Sequence, residues 1–177
     1  LNKKTLVAYA SGFGTTKEIA EEIGKVLSEH GLDVDVRAVD DVKDLSRYHA
    51  IVLGASIRGG SLLPQAMDFL SRHHKALSKI PTAVFVVSLT MQKDTEENRR
   101  IVASWLHPLR EIVKPIREEY FAGRLALKEL PFAEPLLREL ISQPEADWRD
   151  WDKIRAWARN LVPVLSERGD LPTPFPT

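Results

Sequence analysis

The chain has 177 residues, with 25 Lys and Arg against 25 Asp and Glu, no cysteine and 44% hydrophobic content, which suits one well-cored domain. A formal charge of zero provides no long-range field for a polyanion and argues against a dedicated nucleic-acid binder. Without cysteine there is no disulfide framework, thiolate nucleophile or Cys-ligated metal, so any redox chemistry must come from a bound group.

Short apolar runs rich in β-branched residues alternate along the chain with amphipathic stretches, and this alternation of periods is the main fold signal. TLVAYA (5–10) reads as a first strand. A short turn leads into a helix whose apolar stripe is Ile19, Ala20, Ile23, Val26 and Leu27 and whose stop signal is Gly31. VDVRAV (34–39) alternates apolar and charged residues like an edge strand, whereas AIVLGAS (50–56) and TAVFVVSL (82–89) are nearly all apolar, as expected of parallel strands covered on both faces. Between these two, residues 62–77 predict a helix with Pro64 near its start. Asp94 and Glu97 predict a capping box for a helix running through Leu106, which Pro108 ends or kinks. EEYFAG (118–123) is a fifth, weaker strand. Trp151, Ile154, Trp157, Ala158, Leu161 and Val162 form the stripe of a last helix.

Five alternations of strand and helix predict an α/β sandwich with a mainly parallel sheet and right-handed crossovers. Residues 1–168 read as one domain and residues 169–177 as an extended tail, with prolines at 172, 174 and 176. Residues 124–144 interrupt the pattern before the last helix, far exceeding the usual connection of roughly 2–6 residues. Within them, Leu136, Leu137, Leu140 and Ile141 could share one face of a short helix. That insertion either closes the sheet edge or touches substrate or membrane. No run reaches the roughly 18 apolar residues of a membrane span, and the apolar part of the N-terminal segment is too short for a secretory signal. A cytoplasmic protein is expected.

The sharpest chemical signal is the first strand-to-helix turn, YASGFGTTKEIA. Ser11, Thr15 and Thr16 offer hydroxyls, Gly12 and Gly14 let backbone amides converge, and the helix dipole adds positive potential. There is no GxGxxG fingerprint, no Walker lysine and no charge between Ser11 and Thr16, so a monophosphate held by neutral donors fits better than a pyrophosphate. The plainer alternative is a Thr15–Glu18 capping box, with the glycines merely making the turn. Ligands of open parallel sheets lie beyond the carboxyl ends of the strands. There the turn ASIRGGSLLP, with Ser56, Gly59, Gly60 and Ser61, and the polar turn SLTMQKD would line the same crevice.

Other features carry less. His73 and His74 are adjacent and would point about 100° apart on a helix, so no metal site is expected from them. Trp148, Trp151 and Trp157 suggest a cofactor box, but Trp151 and Trp157 share the stripe of Ile154 and Leu161, which favours core packing. Asp33, Asp40 and Asp41 read as solvated strand ends.

Ser11-x-x-Gly14-x-Thr16, followed by Ala20, resembles the phosphate signature of the flavodoxin-like family. GASIRGG, TKEIAEEI and DWRDWDKIRAWARNL are similar, more narrowly, to the flavodoxin-domain menaquinone-dependent protoporphyrinogen oxidases. The resemblance implies a flavodoxin-like three-layer sandwich whose five-stranded parallel sheet has the order 2-1-3-4-5, with an insertion before the last helix. It implies FMN as cofactor, its phosphate on Ser11, Gly12, Phe13, Gly14, Thr15 and Thr16. The flavin ring would lie between Ser56, Ile57, Arg58, Gly59 and Gly60 on one side and Ser88, Leu89, Thr90 and Met91 on the other. It further implies a porphyrinogen or a quinone as the small-molecule redox substrate, within heme biosynthesis, with Arg58, Arg124 and Arg138 as partners for propionates.

Electron-carrier flavodoxins are acidic and stack an aromatic on the flavin; this chain is neutral, with Ile57, Leu89 and Met91 at those places. A nearby cation, Arg58 or Lys93, stabilises an anionic reduced flavin and favours two-electron chemistry, so these two are the catalytic candidates. In the oxidases the insertion is basic and helps reach the membrane. Here Arg124, Lys128 and Arg138 balance Glu129, Glu134 and Glu139, so contact with the inner membrane is expected to be peripheral at most. An electron-transfer flavodoxin and a cofactor-free interaction domain are the alternatives.

Overall fold

The computed structural model describes residues 4–126 and 145–166. The expected helix at Leu136–Ile141, the candidate Arg138 and the tail lie outside the described residues. Strands β1 (Lys4–Ala10), β2 (Val34–Ala38), β3 (Tyr48–Arg58), β5 (Thr82–Val87) and β6 (Arg117–Phe121) form a parallel sheet of order β2-β1-β3-β5-β6. That is the predicted order 2-1-3-4-5 once an extra short strand, β4 (Ser61–Leu62), is counted.

The period of two sorts the core. Leu6, Ala8, Ala10, Ile51, Leu53, Ala55, Val84 and Val86 face one layer, while Val7, Ala50, Val52, Ala83, Phe85 and Val87 face the other. Helices α2 (Pro64–Arg72), α4 (Glu96–Ser104) and α5 (His107–Ile112) cover the first face through Phe69, Leu70, Val102 and Leu109. Helices α1 (Thr15–Glu29) and α6 (Trp151–Ser166) cover the second. β3 and β5 are buried on both sides, as their unbroken apolar runs require. In β2 only one of its five residues is exposed and none is fully buried, as expected at an edge.

Gly54 shapes the second face. It pairs with Phe85, and a Cβ there would lie 2.1 Å from Phe85 Cζ, so only glycine admits the ring. Phe85 then meets Phe121 at 5.9 Å and the edge of Trp157 at 6.0 Å between ring centroids. Trp157 is a core residue, as its stripe predicts, whereas Trp148 and Trp151 are half-buried. Helix α1 ends as expected: Gly31 has φ 90°, and the Leu32 amide donates back to the Leu27 carbonyl at 3.2 Å.

Three local expectations are corrected. Residues 62–77 are not one helix: Leu62 belongs to β4, and α2 stops before His73, from which the single turn α3 (His74–Leu77) starts afresh. The next helix is capped by Thr95, whose hydroxyl accepts from the Asn98 amide, and not by Asp94, which an arginine and a lysine capture. The chain after Ser56 is not an open loop either. β3 runs on to Arg58 and turns back through Gly59 and Gly60, at φ 54° and 74°, into antiparallel β4, with Arg58 opposite Ser61. Two positive φ values in a two-residue hairpin turn are accessible to glycine at little cost, which is why GG stands there.

Candidate functional site

The carboxyl ends of β1, β3, β5 and β6 meet at one edge of the molecule. After β1 the chain curls so that the Gly14 amide donates to Ser11 Oγ at 3.0 Å. Gly14 occupies the N-cap of α1 at φ 88°, and no side chain caps the helix. The Thr15–Glu18 capping box therefore does not form, and Glu18 is drawn away to Arg149. Leading amides of α1 remain free of side-chain acceptors, which gives the turn donors to spend on an anion. Thr16 is fully buried, and its hydroxyl lies 2.6 Å from Ser56 Oγ, tying the first turn of α1 to the end of β3.

Arg58, from the end of β3, reaches the same turn. Its guanidinium carbon is 4.0 Å from the centroid of the Phe13 ring, and its Nη2 lies 1.9 Å from where a Cβ on residue 12 would stand. Any side chain at position 12 would have to displace it. Ser11, Gly12, Phe13, Gly14, Thr16, Ser56 and Arg58 are thus brought together by direct contact, from segments forty residues apart in sequence.

The segment after β5 forms one 3-10 turn, Leu89–Gln92, in which Ser88 Oγ accepts from the Thr90 amide at 3.2 Å. Pairing of Ser56 with Val87 sets this turn beside the β3–β4 hairpin. Leu89 is 44% exposed and Phe13 37%, unusual for large apolar side chains at a rim of hydroxyls. Met91 instead turns into the core. Ile57 is half-buried against the core, and Lys93 is exposed.

Two residues near the site were not singled out from sequence. A Cβ on Gly123, just after β6, would meet Val87 at 3.1 Å and Thr15 at 3.7 Å; a glycine directly after a strand was its only signal. The indole of Trp105 lies 3.1 Å from where a Cβ on Gly60 would stand and so backs the hairpin turn; nothing in the local sequence marks it.

Apart from Arg58, charges frame the site without entering it. Arg149, whose side chain is 8% exposed, holds Asp147 at 2.7 Å, pairs with Glu18 and lies over Trp151. Arg124 reaches Glu18 at 4.0 Å. These residues belong to or adjoin a two-stranded ribbon, β7 (Arg124–Ala126) with β8 (Glu145–Asp147). The insertion therefore leaves and returns through one ribbon fastened to the first turn of α1. On the other flank Asp94 accepts from Arg99 and from Lys153 at 2.7 Å, and these charge-assisted bonds, Arg99 first, hold its carboxyl at about 2. Behind it, burial and a hydrogen bond to Glu118 push Tyr120 up to about 12.

No cluster of three or more metal-ligating side chains occurs among the described residues. The His73 ring meets that of Phe69 tilted at 54°, with 4.9 Å between centroids, and His74 faces solvent against the Ser71 carbonyl. No described helix is long and apolar enough to cross a membrane. The site is a turn of neutral donors with one overhanging guanidinium and an apolar rim.

Residues 6–152 match the family model described as Flavodoxin domain. A protein of Escherichia coli K12 named protoporphyrinogen IX dehydrogenase [quinone] is 26% identical over 173 residues, covering 90% of this chain and 94% of that protein. A Leishmania major protein of the same name is 30% identical over 177 residues, covering 90% of this chain and 74% of its own length. Among solved structures, an archaeal flavodoxin superposes with TM-score 0.58 at 19% identity, covering 93% of this chain and 99% of its own. Oxidised flavodoxin 1 of Bacillus cereus also gives 0.58 at 19% identity, covering 91% and 98%.

Proposed function

The chain belongs to the flavodoxin-domain family, and from that premise we propose that it is an FMN-dependent oxidoreductase that dehydrogenates a porphyrinogen and passes the electrons to a quinone. The observation that carries the proposal is the uncapped first turn of α1, joined through Thr16 and Ser56 to the end of β3. It offers a cradle for one phosphoryl group at the carboxyl edge of the sheet. The relatives' names supply the substrate class.

Bound FMN would supply a ring that takes up two electrons and a proton. Ser11, Thr15, Thr16 and the amides of Gly12, Phe13 and Gly14 would hold its phosphate. Ser56, Ile57, Arg58, Gly59 and Gly60 would flank the ring on one side and Ser88, Leu89, Thr90 and Met91 on the other. The positive φ of Gly59 and Gly60 lets the peptide between them reorient at low steric cost. Phe13 and Leu89, exposed at the rim, give a large apolar substrate a surface from which water is readily expelled. Lys93, exposed just past the 3-10 turn, adds positive potential that favours negative charge on the reduced ring. Arg124 is engaged with Glu18 and helps place the ribbon; its use for a propionate would require it to exchange that partner.

The test is direct. The purified protein should take up one FMN with flavin absorbance in the visible, and under anaerobic conditions should convert porphyrinogen to fluorescent porphyrin only when a quinone is added. A protein that takes up no FMN overturns the proposal. Uptake of FMN without porphyrinogen turnover would make it an electron carrier.

A further inference from the structure

Resting on the FMN reading above, we propose that Arg58 supplies the positive charge that the phosphate cradle lacks, and so makes the site specific for a phosphorylated flavin over the unphosphorylated one. The cradle residues Ser11, Gly12, Phe13, Gly14, Thr15 and Thr16 are all neutral. A phosphate monoester carries about −1.5 to −2 at neutral pH, whereas a helix N-terminus offers only about +0.5. About one charge is left uncompensated, and one guanidinium closes the difference.

Geometry points to Arg58. Its Nη2 and Cζ lie 1.9 and 2.6 Å from the Cβ position of residue 12, so the group is already on the cradle. Among the described residues it is held there by the face of Phe13. Among the described residues it makes no ion pair and donates no hydrogen bond, unlike Arg99, Arg110, Arg149 and Arg155, each of which grips a carboxylate. A guanidinium with its donors uncommitted can turn them to phosphoryl oxygens in a forked pair. The root of the arm is fixed: Arg58 ends β3, pairs with Ser61 across the Gly59–Gly60 turn, and that turn is backed by Trp105. The side chain can tilt while its Cα stays in place. Glycine at position 12 then has a second purpose, since any larger residue would evict the guanidinium from the cradle.

The experiment titrates FMN and riboflavin separately into apoprotein by fluorescence quenching, at low and high salt, for the unaltered protein, Arg58→Gln and Arg58→Lys. Arg58→Gln should weaken FMN about tenfold, as loss of one exposed charge-assisted contact does. It should weaken riboflavin far less than FMN and flatten the salt dependence of FMN binding, because the screened attraction is gone. Arg58→Lys should keep part of the preference for FMN. Equal changes for both ligands, or unchanged FMN affinity in Arg58→Gln with an unaltered melting curve, overturn the inference and leave the FMN reading standing. If the unaltered protein binds neither flavin, both fall.

Discussion

The two ends of the same sheet are built on opposite principles. At its amino ends most polar groups find partners at short range: Lys4 pairs with Asp33 and Asp35, Tyr48 donates to Asp35 at 2.9 Å, and Thr82 donates to the Ile80 carbonyl, with the buried Thr5 hydroxyl as the exception. At its carboxyl ends hydroxyls still pair, Thr16 with Ser56, but several other groups are left without partners among the described residues. Gly14 takes the place of a side-chain cap, Arg58 rests on a ring instead of a carboxylate, and Phe13 and Leu89 stand in solvent. The amino ends spend their chemistry on closing the fold, and the carboxyl ends hold theirs for something that arrives. Stability and ligand affinity should therefore be separable by position.

The largest break in that contrast comes at Asp35, whose carboxylate is 15% exposed and serves both Lys4 and Tyr48. Asp35→Ala leaves Tyr48 without its acceptor and Lys4 with Asp33 alone, and should cost about 2 kcal/mol in a urea unfolding experiment, with no change in FMN affinity. Next in size is Thr16→Val at the other end. Replacing the buried hydroxyl that meets Ser56 should weaken FMN about tenfold while costing about 1 kcal/mol of folding stability. If Asp35→Ala weakened FMN as much as Thr16→Val does, the division between the two ends would fail.

The smallest effect sharpens the contrast by pH. Asp94, beside the 3-10 turn, has its carboxyl lowered from an ordinary 3.8 to about 2 by Arg99 and Lys153. A lowered carboxylate contributes stability above its unfolded pKa and loses it as the pH falls through the folded one. Urea midpoints should therefore decline between about pH 4 and pH 2, and Asp94→Asn should make that decline shallower. The difference should be modest, because the side chain is 42% exposed and solvent screens it. No change in the acid limb would mean that the pair does not hold the turn.

Local residues carried a large part of this in the sequence. The alternating periods mark the five sheet strands, the VDVRA edge and the Gly31 stop, because side-chain direction follows backbone period wherever a face is buried. The hydroxyl-and-glycine turn is legible too, since its donors lie within six consecutive residues. What misled were residues with two possible uses. Asp94 and Glu18 each sit where a cap would be, but ion pairs with Arg99, Lys153 and Arg149 outbid the backbone. The glycines after Ile57 read as a loop, but with Arg58 opposite Ser61 they close a hairpin.

By itself, then, the sequence determined the class of fold, the strand boundaries to within a few residues and a turn of neutral donors at the start of α1, all of which follow from contacts within one turn or one face. It showed no charge in that turn. Only the tertiary structure brought one, by laying β3 beside β1 so that Ala10 faces Ala55 and the chain three residues further on, at Arg58, overhangs Gly12. Trp105 behind Gly60 and Gly123 against Thr15 were decided in the same way. Such contacts depend on which strands become neighbours and in what register, a choice made by burial over the whole sheet and not recorded in any short stretch of residues.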